Sequence, residues 1–136
     1  MQILWAVSCE SFDLRDDGTG DIEAAGFDSF YVEELPILIE LHILVRLSMS
    51  EGERGALDAH LLGPDPRERE SLSFPVEADP GPHYRSGYQV TQIEPVEIRF
   101  QALHEGIYSV EIYTGAEAVT EDHRRSIFYY VRLLPA

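Results

Sequence analysis

From Ile37 to Leu47 every second residue is aliphatic, so that Ile37, Ile39, Leu41, Ile43, Val45 and Leu47 share one side of an extended chain. A helix would scatter these six around its circumference, and the spacing therefore predicts a strand with one dry face. The opposite row, Leu38, Glu40, His42, Leu44 and Arg46, is mixed enough to meet solvent. Pro36, just ahead of the run, is compatible with a strand start.

Similar runs recur between turn residues: Ile3 to Phe12, Ile22 to Val32, Ala56 to Leu62, Leu72 to Val76, Val96 to Leu103, Ile107 to Thr114 and Ile127 to Leu133. Most alternate, as in Val96, Ile98, Phe100 and Ala102 or Ile127, Tyr129, Val131 and Leu133. Asp16-Asp17-Gly18-Thr19-Gly20 suits a hairpin that needs positive φ, and Gly63-Pro64-Asp65-Pro66 suits a tight turn. Asp79 to Gly87 is the longest irregular stretch, and Pro75 marks its own strand as an edge. About eight short strands in one chain predict a single all-β domain spanning 1–136, a two-sheet antiparallel β-sandwich of immunoglobulin-like type, with a closed β-barrel as the alternative. Glu105-Gly106-Ile107-Tyr108 favours the sandwich, because it opens a strand as a tyrosine corner does.

Charge narrows the partners. With 25 acidic residues against 10 basic ones the net charge is -15, so nucleic acid and anionic membranes are poor ligands. All ten basic residues are arginine and neither lysine nor asparagine occurs, the mark of a genome poor in A and T codons and read here as bacterial. Cys9 is the single cysteine, which leaves no intrachain disulfide and makes a reducing cytoplasm the expected setting. The apolar run from Ile3 to Val7 is shorter than a signal peptide requires, and nothing approaches the roughly 20 apolar residues of a membrane helix.

Several short segments, Ala6-Val7-Ser8-Cys9-Glu10, Gly26-Phe27-Asp28-Ser29-Phe30, Leu35-Pro36, Leu44-Val45-Arg46-Leu47 and Leu62-Gly63-Pro64-Asp65, stand in the first half of the chain. In these the chain resembles a family of small uncharacterised bacterial all-β proteins that begin with a strand ending in Cys-Glu or Cys-Asp. That resemblance implies a β fold and supplies no catalytic residue.

The candidate chemistry depends on strand pairing. A hairpin closed across Ser48 to Arg54 would set Leu47 opposite Gly55 and His42 opposite His60, with Glu40 and Asp58 two residues away on the same outer face. Two imidazoles and two carboxylates form a ligand set that zinc accepts, whereas the bland reading is a solvated cross-strand cluster. Asp13, Asp16, Asp17 and Asp21 offer hard oxygen ligands for calcium, but a hairpin turn explains them equally in residue type. Cys9 alternates with Ile3, Trp5 and Val7 and is read as a buried structural thiol. His123-Arg124-Arg125 is the one local basic cluster, suited to a phosphate or an acidic patch, or simply a solvated loop tip beside Glu121 and Asp122. Ser8, Ser11, Ser126, His83, His104 and His123 share no catalytic spacing.

The function expected from these residues is that of a non-enzymatic binding or assembly module. A metal-dependent enzyme and a carbohydrate-binding sandwich are the alternatives, the latter resting on Tyr31, Tyr84, Tyr88 and Tyr113. Protein partners are expected, including a second copy of the chain. Ile3 to Cys9 carries neither proline nor charge and would be the least protected edge, hence a dimer seam.

Overall fold

In the computed structural model, which describes residues 1–82, 84–115 and 122–135, no described residue is helical. The strands are β1 (Gln2–Cys9), β2 (Ser11–Leu14), β3 (Gly20–Glu23), β4 (Ser29–Val32), β5 (Ile37–Met49), β6 (Arg54–Leu62), β7 (Arg69–Glu77), β8 (Val90–Ala102), β9 (Gly106–Tyr113) and β10 (Arg124–Leu133). They form a three-stranded sheet, β1-β5-β8, a five-stranded sheet, β4-β10-β9-β6-β7, and a separate β2-β3 hairpin. None of the three closes on itself, so the strands make a sandwich rather than the alternative barrel.

The two strands beyond the expected eight come from breaks within runs. The first run divides at Glu10, and the second divides between Glu23 and Ser29, where Ala24 (φ 53°) and Gly26 (φ 84°) take left-handed backbone that no strand accommodates. Between these breaks the Asp-Gly turn closes β2 onto β3, with Gly18 at φ 86°. One pairing departs from the antiparallel rule: Ser29–Val32 runs parallel to Tyr130–Leu133.

The alternation read from the sequence builds the core. Ile39, Leu41, Ile43, Val45 and Leu47 of β5 meet Leu57, Ala59 and Leu61 of β6, Tyr108, Val110 and Ile112 of β9, and Tyr129 and Val131 of β10 in one buried cluster. β5 lies at the centre of its sheet, flanked by β1 and β8, so its dry face spans the middle of the sandwich. Pro75 stands on β7, an edge as expected, where its missing donor breaks no interior ladder.

The reading of Cys9 needs one correction. The register of β1 against β5 slips between Ile3 and Trp5, and a one-residue slip carries every later side chain to the other face. Cys9 therefore lies opposite His42, in the row of Leu44, and not in the row of Ile3. Cys9 and Leu44 are both buried, yet neither belongs to the central cluster. Phe12 of β2 sets its ring edge against His42 at 6.0 Å, so the hairpin folds back over this end of the outer face. Burial raises the Cys9 thiol above its ordinary pKa, which suits the structural role.

Candidate functional site

His42 and His60 do not share a face. The Ser50–Glu53 connection crosses from one sheet to the other instead of closing a hairpin, because β5 is paired on both sides by β1 and β8, and β6 by β9 and β7. The expected pairing of Leu47 with Gly55 is thereby overturned. Glu40 and His42 stay together on the outer side of the three-stranded sheet, while Asp58 and His60 lie on the outer side of the five-stranded sheet, where His60 Nε2 sits 3.0 Å from the Ser71 hydroxyl.

A different third residue joins Glu40 and His42. Glu97 is the register partner of His42 on β8, and Arg99 is the partner of Glu40. Glu97 Oε1 lies 3.7 Å from His42 Nδ1, Glu40 Oε1 lies 4.0 Å from His42 Nε2, and Arg99 Nε lies 3.5 Å from Glu40 Oε1. One ligand atom from each of Glu40, His42 and Glu97 falls within 4.8 Å of the others. His42 Nδ1 is shielded from solvent and has no hydrogen-bond partner among the described residues.

The outer side of the five-stranded sheet is chemically different. Phe128, Ser109 and Leu62 stand in one cross-strand row, and Tyr130 and Ile107 in the next. Ile107 is 56% exposed, Phe128 53% and Leu62 37%, with Tyr31 beyond them at 63% beside Arg132. Neighbouring rows on one face lie within reach of aromatic side chains, so these residues form a continuous apolar patch. Along its strands the face carries Arg54, Arg69, Arg124 and Arg132 with Asp58, Glu77 and Glu111, while Asp28 and Glu105 border Phe128, Tyr130 and Ile107. Four arginines against five carboxylates leave this face far nearer neutrality than the chain as a whole at -15.

At the end of the sandwich, Glu68 was not legible as a site residue. Its side chain is 0% exposed. Leu103 N–H donates to Oε2 at 2.9 Å and Asp65 N–H to Oε1 at 3.3 Å; His104 Nδ1 lies 3.2 Å from Oε1, and the Tyr108 hydroxyl donates to Oε2. Burial pushes the Glu68 carboxyl up, but these hydrogen bonds outweigh it and hold the group below its ordinary pKa. The Tyr108 hydroxyl also reaches the His104 carbonyl at 2.8 Å, the bond expected of the corner. The constellation ties the Gly63–Glu68 turn to β9, which is a structural task.

The remaining candidates are occupied locally. Asp17 Oδ1 accepts from Thr19 N at 2.9 Å and Thr19 Oγ1 at 2.6 Å, and Arg15 pairs with Asp21, so these acids serve the hairpin turn. The turn forms one wall of an acidic groove of about 470 Å³ whose other wall includes Glu77, Asp79 and Glu94. His123 Nδ1 meets the Thr114 hydroxyl at 3.1 Å, Arg124 pairs with Glu111 at 2.9 Å, and Arg125 donates to the Ile3 carbonyl at 3.1 Å. That last bond bears on the edge of β1, as do Ile3 N to Asp122 O at 2.6 Å and Gly26 N to Ser8 O at 2.6 Å. β1 is an edge strand, and the backbone groups of Ile3 and Ser8 at its two ends already have partners within the chain. Tyr84 donates to the Tyr88 carbonyl at 2.7 Å, away from Tyr31 and Tyr113, so the four tyrosines form no single platform. His83 and Glu121 lie outside the described residues.

The sequence matches no protein-family model and no curated protein. Among the described residues no helix is long and apolar enough to cross a membrane.

Proposed function

We propose that the chain is a non-enzymatic assembly module that pairs with a second copy of itself through the outer face of its five-stranded sheet. The observation that carries this reading is the patch of Leu62, Ile107 and Phe128, exposed to water and set beside the half-buried Tyr130 by strand register. Contiguous exposed apolar surface of this kind marks an interaction site. A second copy is the favoured occupant on electrostatic grounds: elsewhere two chains at -15 repel, whereas on this face arginines nearly balance carboxylates, so two copies meet where repulsion is weakest. A two-fold axis through the patch would bury it from both sides in one closed contact.

Light scattering tests the reading directly. A mass of twice 15.4 kDa is expected, more completely populated at about 0.5 M than at about 0.02 M salt, because salt screens the residual repulsion. Phe128→Asp and Ile107→Asp should return the chain to monomer, and Leu38→Asp, on the other sheet, should not. A mass of 15.4 kDa at both salt concentrations, or a dimer that survives Phe128→Asp, overturns it.

A further inference from the structure

We infer that Glu40, His42 and Glu97 form a divalent-cation site of the zinc type on the outer face of the three-stranded sheet. The placement follows from strand geometry. Residues two apart on a strand point the same way, and the residue opposite on the neighbouring strand points with them, so Glu40, His42 and Glu97 converge without any loop to order. An imidazole with two carboxylates is a donor set for a borderline cation such as zinc, which takes three protein ligands and leaves a fourth position for water.

Two observations distinguish this group from a solvated cluster of charges. His42 Nδ1 is out of water and has no hydrogen-bond partner among the described residues, an arrangement that ordinarily costs free energy and that a bound cation relieves. Its neighbour Glu97 Oε1, at 3.7 Å, is too far for a hydrogen bond, yet inside the ~4.2 Å limit for two ligands of one ion held at about 2.1 Å each. The Phe12 ring, edge-on to the imidazole, restrains its orientation. Glu97 faces Nδ1 whereas Glu40 Oε1 lies 4.0 Å from Nε2, so an ion on Nδ1 requires Glu40, whose side chain is 40% exposed, to swing round the ring across a spread of 4.8 Å. Arg99 is the competing cation, and a bound ion would take Glu40 from it.

The test is calorimetric titration of the untagged chain with Zn²⁺ alone, with circular dichroism to confirm that each variant keeps its strands. One ion per chain is expected. His42→Ala and Glu97→Gln should each weaken binding at least about tenfold, the loss of one ligand. His60→Ala, on the opposite face, should leave it unchanged, and Arg99→Ala should tighten it. Absence of Zn²⁺ binding by the unaltered chain, or binding that His42→Ala leaves intact, overturns the site.

Discussion

The single O–H of Tyr108 is shared between the carboxylate of Glu68, 40 positions earlier in the chain, and the carbonyl of His104. Tyr129, on the neighbouring strand, is as deeply buried, but its hydroxyl has no partner among the described residues. The two tyrosines should therefore respond differently to the same change. Tyr108→Phe strips a donor from a buried carboxylate and is expected to destabilise by about 1–3 kcal/mol, whereas Tyr129→Phe should stay within about 0.5 kcal/mol or gain stability. Urea unfolding of both variants measures the difference, and equal midpoints would contradict the assignment of the Tyr108 bonds.

The lowered pKa of Glu68 makes a pH-dependent contribution to stability. Its folded pKa lies below the unfolded value of about 4.3, so the stabilisation is fully present above that value and is lost as pH falls through the folded pKa. Glu68→Gln should be less stable than the parent at neutral pH, and the gap should narrow in acid. Thermal melts of both proteins from neutral to acid pH give the comparison; a gap that widens in acid would contradict the sign.

The alternation of β5 sets a third expectation. Ile43 is 0% exposed at the centre of the sandwich, and an aspartate there would be a buried charge with no partner, so Ile43→Asp should destabilise by on the order of 4 kcal/mol or more. Leu38, on the opposite row and 67% exposed, should tolerate aspartate within about 0.5 kcal/mol. Denaturant titration separates the two, and similar midpoints would mean that the faces have been assigned wrongly.

What could be read from the sequence was whatever strand periodicity alone determines. The inward row of β5, the Asp-Gly hairpin, the edge position of Pro75 and the Tyr108 bond to the His104 carbonyl all rest on contacts near in sequence or on strict alternation. The His42–His60 pairing failed for a reason that local chemistry does not record: Ser50-Glu51-Gly52 would serve a hairpin or a crossing between sheets, and the choice is made by β1 and β8 occupying both sides of β5. The face of Cys9 was misread because a single slip between Ile3 and Trp5 leaves no trace in the apolar pattern. Glu97 was passed over as a polar residue on an alternating strand, since only the β5–β8 register brings it to His42. Glu68 closes the turn that Gly63 opens, where a carboxylate reads as solvated until the fold buries it.

Gly63 provides the last test, because it packs against both members of the Glu68–Tyr108 pair. A Cβ at Gly63 would lie 2.6 Å from Glu68 Cβ and 2.7 Å from Tyr108 Cε1, distances that real Cβ atoms do not adopt, so one of the two side chains must move. Gly55 has only the flexible end of Met1 nearby, at 3.1 Å, and should accept alanine. Gly63→Ala is expected to destabilise by roughly 1–3 kcal/mol through overpacking, and the displacement should weaken the bond that Tyr108→Phe removes. The two changes should then be non-additive: once the hydroxyl is gone, the alanine has less left to disturb. Unfolding free energies of the two single variants and the double variant form the cycle. A double variant less stable than the parent by the full sum of the single losses would show that Gly63 acts independently of the Glu68–Tyr108 bond.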